Sequence, residues 1–154
     1  QLLRAMIDVA GIASELETEA IVALDKLDKV GREGVLAELA AKGVGEASRE
    51  KLMGMVLGSP SLEDLTAALE GHEAGMQALA DLQAVQSMAE GTPAKGRLQF
   101  DPTLARGLGY YTGCIFEIAV DDLAGSLGGG GRSHSLTHSQ FNEIGRILVP
   151  RAQS

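Results

Sequence analysis

Apolar residues recur every three or four positions through most of residues 1–90, which is the spacing of amphipathic helices. Ser14–Glu17 has the Ser-x-x-Glu pattern of a capping box, and Ile21, Leu24 and Leu27 follow it, so we predict a helix over residues 14–29. The same spacing predicts helices at residues 36–40 with a stop at Gly43, at 46–57, and at 62–90 with Ser61 and Asp64 as a second capping pair. The last helix is expected to be bent or interrupted near Gly71 and Gly75.

The helical pattern ends at Gly91-Thr92-Pro93. Beyond it, residues 97–100 alternate between polar and apolar, and Tyr111–Val120 has the β-branched and aromatic content of a strand. Residues 121–125 have the composition of a turn, and Ser126-Leu127 can begin a returning strand. We therefore predict an α+β fold, in which a helical module of about 90 residues precedes a short antiparallel sheet.

Composition indicates a globular chain, since 45% of its 154 residues are hydrophobic and its mean hydropathy is +0.07. No apolar run approaches the length of a membrane span and no signal-peptide pattern opens the chain, so we expect a cytoplasmic protein without a membrane partner. The length fits one domain or a piece of a larger protein. The second is favoured because residues 1–7 begin within an apolar element, without a cap or an initiating Met.

Negative charge is concentrated in the helical part. Residues 1–95 contain 8 Lys and Arg against 16 Asp and Glu, whereas residues 96–154 contain 5 of each kind. A surface this acidic repels a phosphate backbone, so residues 1–95 make a poor nucleic-acid binder unless their few cations cluster.

The candidate chemistry lies around the predicted sheet. Arg106 offers a planar set of donors suited to phosphate or carboxylate, and Tyr110 and Tyr111 supply hydroxyls on rigid rings. The glycine run at 128–131 permits a ligand to approach the backbone closely. Singly, these features are also typical of a surface arginine, half-buried sheet tyrosines and a flexible loop. Together they indicate a pocket for a small polar, phosphorylated ligand, which only one of the two adjacent tyrosines would line.

Cysteine and histidine indicate neither a disulfide nor a metal site. Cys114 is the single cysteine, and on the alternating strand, where it shares a face with Phe116, we interpret it as a small core residue. His134 and His138 are spaced by four, as on one helix face, but no acidic or cysteine third ligand lies close by, so we predict no metal site. We interpret His72 as a solvated helix residue.

Two segments in order resemble a known family. Residues 104–113 (LARGLGYYTG) with Phe116-Glu117, and then 129–132 (GGGR), closely resemble the two histidine-binding motifs of histidyl-tRNA synthetases, which are class II aminoacyl-tRNA synthetases. Residues 24–31 (LDKLDKVG) also resemble the segment that enters the helical insertion of that family, between its second class motif and its first histidine motif. The resemblance covers about residues 1–132.

The resemblance implies a division of the chain into four parts. Residues 1–13 would end a preceding core element, 14–92 would form the helical insertion domain, and 93–132 would be part of the antiparallel sheet of a class II catalytic core. Residues 133–154 resemble nothing in the family, which suggests a shift of reading frame, an artificial tail or a diverged end. By its family position, the insertion would pack beside the core and help to clamp the acceptor end of tRNA.

The activity that the resemblance implies is that of a histidine–tRNA ligase. Such an enzyme uses ATP with Mg²⁺ to convert histidine to histidyl-adenylate, transfers the histidyl group to tRNA(His), and works as a homodimer. Arg106 matches the catalytic arginine that stabilises the charge developing at the α-phosphate, and Tyr111 matches the phenol that reads the imidazole. The other matching pocket positions are Gly107, Tyr110, Gly129 and Gly130.

Several family features differ or are missing. Gly109 stands where many members have Asp or Asn, and Arg132-Ser133-His134 replaces Arg-Tyr-Asp, so the tyrosine that completes the pocket is absent. The chain also lacks the first, second and third class motifs and an anticodon domain. Activation of histidine requires both substrates oriented together, so we expect the isolated chain to bind ATP poorly and to be inactive.

Two alternatives remain open at the level of sequence. One is the synthetase-like regulatory subunit of ATP phosphoribosyltransferase, which shares the fold and binds histidine as a signal. The other is a non-catalytic interaction module whose acidic helices pack on a partner. Arg106, both tyrosines and the segment at 24–31 favour the ligase.

Overall fold

The computed structural model describes residues 1–105, 111–119 and 126–133. Within these ranges the chain forms six α-helices, one short 3-10 helix and a two-stranded antiparallel sheet, which confirms the predicted α+β class. The elements are α1 (Leu2–Val9), the 3-10 helix (Ser14–Leu16), α2 (Glu17–Leu24), α3 (Leu27–Ala41), α4 (Glu46–Val56), α5 (Leu62–Ala68), α6 (Glu73–Ala89), β1 (Tyr111–Ile118) and β2 (Gly128–Ser133).

One continuous apolar core joins the helices, and α1 contacts α2, α4 and α6. Met6 and Ile7 of α1 and Leu79 of α6 are at most 1% exposed. Ala105 is buried in the same core and Phe100 packs against it, so the segment that leads into β1 is held on the helical module.

Residues 14–29, predicted as one helix, contain the 3-10 helix, α2, a turn and the start of α3. The 3-10 helix ends at Leu16 and α2 ends at Leu24; the chain then turns at Asp25-Lys26, and α3 begins at Leu27. The predicted cap at Ser14 is wrong, because no side chain caps the 3-10 helix or α2. Leu24 is buried and Leu27 packs against the same core, so the two helices place residues on one apolar surface and imitate the spacing of a single helix.

Helix α3 contains a local break that the apolar pattern did not reveal. Gly31 has φ 67° and ψ 178°, which interrupts the helical backbone four residues after the helix begins. Lys26 Nζ lies 2.7 Å from Glu38 Oε1 and joins the turn before α3 to its later part. Gly43, with φ 87°, follows the end of α3 as predicted.

The later helices follow the predictions more closely. Helix α4 covers residues 46–56, and α5 begins with the predicted capping box, in which the Asp64 backbone N–H donates to Ser61 Oγ (3.1 Å) and the Ser61 N–H donates to Asp64 Oδ2 (2.9 Å). Of the bend or interruption predicted near Gly71, the structure shows an interruption, since Gly71 has φ 83° and lies between α5 and α6. Gly75 lies inside α6 without a bend. A Cβ there would lie 3.0 Å from the Ala5 Cβ, so Gly75 permits close packing on α1.

His72 caps α6, whereas we had interpreted it as a solvated helix residue. Its Nδ1 accepts a hydrogen bond from the Gly75 N–H (3.0 Å), and its Nε2 lies 3.0 Å from Asp8 Oδ2 of α1. With Nδ1 occupied as an acceptor, the proton of the neutral ring is on Nε2 and is donated to Asp8. The local pattern gave no signal for the contact with Asp8, because Asp8 lies 64 positions away from His72 in the sequence.

The sheet follows the helices, as predicted. β1 begins at Tyr111, and β2 begins at Gly128, two residues after the predicted start. In the antiparallel register, Ile115 pairs with Gly131 and Ile118 with Gly128. Residues 97–100, which alternate between polar and apolar, do not form a strand.

Candidate functional site

The glycine run is a strand rather than the loop that its composition suggested. Gly128–Gly131 lie along β2 and pair with the second half of β1. None of these four glycines has a positive φ. Their contribution to the site is therefore the absence of side chains, not an unusual backbone conformation.

Two glycines of β2 make room for aromatic rings. A Cβ on Gly131 would lie 2.9 Å from Tyr111 Cδ1 and 2.8 Å from the Cys114 carbonyl oxygen. A Cβ on Gly130 would lie 2.8 Å from Phe116 Cζ. Because non-bonded carbons pack at about 3.5–4.0 Å, a side chain at either position would displace the neighbouring ring or strand.

The two rings lie on opposite faces of the sheet. Gly130 is directly paired with Phe116, and Gly131 with Ile115, and successive residues of a strand face opposite sides. Gly129 and Gly131 therefore share the face of Tyr111, while Gly130 lies on the face of Phe116. Of the two glycines predicted to contact the amino acid, Gly129 is on the Tyr111 face and Gly130 is on the other.

The described residues contain half of the predicted site. Tyr111, Gly129 and Gly130 belong to the sheet, and the Tyr111 residue is half-buried at the start of β1. Arg106, Gly107 and Tyr110 lie outside the described residues, so their predicted roles in catalysis and binding stay predictions. Gly131 was not singled out from the sequence, although its position opposite Ile115 follows once the strand register is known.

A charged contact connects the sheet with the helical module. Arg132 Nη2 donates to Asp81 Oδ2 of α6 at 3.0 Å. The Arg132 side chain passes over Gly113 of β1, where a Cβ would lie 2.6 Å from Arg132 Nε. The sequence offered no local signal for this contact, because Asp81 lies on a helix 51 positions away from Arg132.

Comparison with known proteins identifies the family. The family model described as histidyl-tRNA synthetase matches residues 1–143, which is most of the chain. The chain belongs to the histidyl-tRNA synthetase family. The match continues past residue 133, where we had placed the start of an unrelated tail, and the four predicted domain boundaries stay predictions.

Individual relatives agree with this family. The histidine–tRNA ligase of Leifsonia xyli is 41% identical over 158 aligned residues, which cover 96% of this chain and 34% of the relative. The ligase of Phocaeicola vulgatus is 39% identical, with 89% of this chain and 31% of the relative covered. A crystal structure of histidyl-tRNA synthetase from Nostoc sp. PCC 7120 superposes with a TM-score of 0.66 at 27% identity, over 75% of this chain and 29% of that one. The chain thus spans about a third of the length of these synthetases.

Cys114 is not equipped to act as a nucleophile in this synthetase-family sheet. It is half-buried on β1, and burial raises the pKa of its thiol above the ordinary value, with the Asp81 carboxylate adding to the rise and the Arg132 guanidinium opposing it. A thiol with a raised pKa stays protonated at neutral pH. We had interpreted Cys114 as a core residue, but it is not among the fully buried residues.

Within residues 1–105, 111–119 and 126–133, no three His, Cys, Asp or Glu side chains come together in a way that could hold a metal ion. His134 and His138 lie outside these ranges. Among the same residues, no helix is long and apolar enough to cross a membrane.

Proposed function

We propose that this chain forms one wall of the histidine and histidyl-adenylate site of a histidine–tRNA ligase. The observation that carries the proposal is the packing of the Tyr111 ring against Gly131 of the glycine strand, in a chain of the histidyl-tRNA synthetase family. Tyr111 is half-buried, and Gly129 and Gly131 add no side chains to its face of the sheet, which Ile115 and Glu117 of β1 share. A wall of small and apolar residues with a few placed polar groups, here the Tyr111 hydroxyl and the Glu117 carboxylate, is typical of a small-molecule pocket.

In the proposed reaction, a carboxylate oxygen of histidine attacks the α-phosphorus of ATP. The bond from that phosphorus to the oxygen bridging to the β-phosphate breaks, and pyrophosphate leaves. Negative charge accumulates at the α-phosphate because one anion attacks another, and a fixed guanidinium lowers the energy of this transition state. We assign this role to Arg106, which precedes β1 by five residues.

Recognition of histidine is assigned to the β1–β2 face. A phenol can donate to or accept from an imidazole nitrogen, and we assign this contact to the hydroxyl of Tyr111. Gly129 would present its backbone on the same face, while Gly107 and Tyr110 would shape the rest of the pocket. Gly130 would act less directly, since it faces Phe116 and keeps the two strands close.

The substrates and partners of the whole enzyme are histidine, ATP with Mg²⁺, and tRNA(His), in a cytoplasmic homodimer. Mg²⁺ would neutralise charge on the phosphates of ATP, and the described residues contain no cluster of side chains that could hold it. This chain spans about a third of its relatives, so we propose that ATP activation needs residues that it does not include. The relatives reported above are named as ligases, which favours this function over a regulatory paralogue.

A chimeric enzyme tests the proposal. Residues 1–132 would replace the matching segment of the Leifsonia xyli ligase, and ATP–pyrophosphate exchange would measure adenylate formation. We expect the chimera to be active and Tyr111→Phe to raise the KM for histidine about five- to tenfold, as for a lost hydrogen bond to a polar substrate. Tyr110→Phe removes the same hydroxyl from the neighbouring residue and should have a smaller effect. Equal effects of the two substitutions would remove Tyr111 from imidazole recognition.

The same chimera tests Arg106. Arg106→Ala should lower the rate of adenylate formation about 10²- to 10³-fold, with little change in the Kd for histidine, because the contact strengthens only in the transition state. A parallel loss of rate and of histidine affinity would instead make Arg106 a binding or structural residue.

A further inference from the structure

Residues from three elements converge beside the glycine strand. Arg132 of β2 extends over Gly113 of β1 and donates to Asp81 of α6, with 3.0 Å between Nη2 and Oδ2. The contact is the one ion pair that joins the helical module to the sheet within the described residues. It therefore links the part of the chain with the glycine strand to the part with the apolar core.

Further hydrogen bonds hold the Asp81 carboxylate and the backbone of Arg132. The second carboxylate oxygen of Asp81, Oδ1, accepts from Gln77 Nε2 at 3.0 Å. On the other side, the Thr112 hydroxyl donates to the backbone carbonyl of Arg132 at 3.4 Å. A carboxylate that is held in advance loses less conformational entropy when the pair forms, and this entropy loss is a main reason that most exposed ion pairs contribute little to stability.

The absence of a side chain at Gly113 leaves the space through which the Arg132 side chain reaches Asp81. A Cβ at Gly113 would lie 2.6 Å from Arg132 Nε and 3.2 Å from Cζ, so any side chain there would push the guanidinium away from Asp81. By contrast, a Cβ at Gly128, on the facing strand of the same sheet, would meet nothing within 4 Å. Gly113→Ala should therefore break the contact between Arg132 and Asp81 without altering either charged residue. Gly128→Ala is the matched control.

We propose that Asp81 is a positioning residue, which holds β2 in place by fixing the Arg132 guanidinium across Gly113. Through this contact the helical module would set the position of the strand that faces Tyr111. The consequence for histidine binding rests on the proposed function, whereas the mechanical tie between α6 and β2 does not. Asp81 itself acts only through Arg132.

Amide hydrogen exchange of the 154-residue chain tests the tie directly. Asp81→Ala should speed exchange of the β1–β2 amides about two- to fivefold, the scale of a well-placed surface ion pair, and leave α3 and α4 unchanged. Gly113→Ala should produce a similar increase, and Gly128→Ala should not. In the double variant Asp81→Ala/Gly113→Ala the two effects should not add, because both remove the same contact.

Two further readouts separate charge-dependent positioning from simple packing. Asp81→Glu should recover most of the protection, and high salt should reduce the difference between wild type and Asp81→Ala by screening the pair. Unchanged exchange in Asp81→Ala, additive effects in the double variant, or a difference that is insensitive to salt would overturn the proposal. Because exchange requires no histidine, an inactive chimera would count against the proposed function alone, and unchanged exchange would count against this tie alone.

Discussion

Single glycines in this chain serve two physical purposes. Gly71 adopts a φ of 83°, which costs a residue with a Cβ about 1–2 kcal/mol. Gly130 and Gly131 have ordinary backbone angles but leave space for Phe116 and Tyr111. The sequence predicted a bend or an interruption near Gly71, because glycine weakens helix interiors. The space that Gly130 and Gly131 leave for aromatic rings depends on which residues face them across the sheet, and the local sequence does not show this.

A pair of Gly→Ala substitutions separates backbone strain from helix propensity. Gly71→Ala should destabilise the chain by about 1 kcal/mol, because alanine is strained at positive φ. Gly54→Ala, inside α4 with no atom within 4 Å of the new Cβ, should stabilise it by about 0.5–1 kcal/mol. Urea unfolding of both variants measures the difference. Effects of the same sign would contradict this distinction.

At the scale of elements, helix boundaries with their own chemical signal were predicted well. The Ser61–Asp64 box begins α5, as its pattern indicated, whereas the similar pattern at Ser14 caps nothing. The difference is that the chain at Ser14 enters a 3-10 turn before α2 begins. A capping pattern therefore acts only where a helix begins at the next residue. The sequence alone does not determine where the helix begins.

The α5 cap should make stability depend on pH. Hydrogen bonds from the side chain and backbone of Ser61 hold the pKa of Asp64 below its ordinary value. A lowered folded pKa contributes stability that is present above the unfolded pKa and is lost as pH falls through the folded value. We expect wild type to lose this contribution on acidification through the carboxyl range, and Asp64→Asn to lack it.

Chemical unfolding of both proteins over that pH range provides the measurement. Ser61→Ala should cost about 1 kcal/mol at neutral pH, since it removes an N-cap acceptor. Ser59→Ala would be a poor control because Ser59 has a positive φ, so the exposed Ser87 of α6 serves instead as Ser87→Ala. An identical pH dependence in wild type and Asp64→Asn would show that the cap carries no linked proton.

Over the whole molecule, stability should depend on the contact between α1 and α6. Leu79 of α6 is 1% exposed within the common core, and Met88 on the same helix is 67% exposed. Leu79→Ala should destabilise the chain by about 2–5 kcal/mol through lost burial and a cavity, and Met88→Ala by less than about 0.5 kcal/mol. Calorimetric unfolding of the two variants measures this difference in stability. A small loss for Leu79→Ala would mean that α6 packs loosely on α1.

The sequence by itself determined that helices precede a short sheet, that a helix ends before Gly43, and that residues 104–113 and 129–132 resemble histidine-binding motifs, because each of these depends on neighbouring residues. The tertiary structure decided the turn between α2 and α3, the separation of Gly129 from Gly130 onto two faces, and the pairing of Asp81 with Arg132. These features arise from strand register and from the packing of α6 beside the sheet. Local periodicity carries no information about contacts between residues so far apart in the chain.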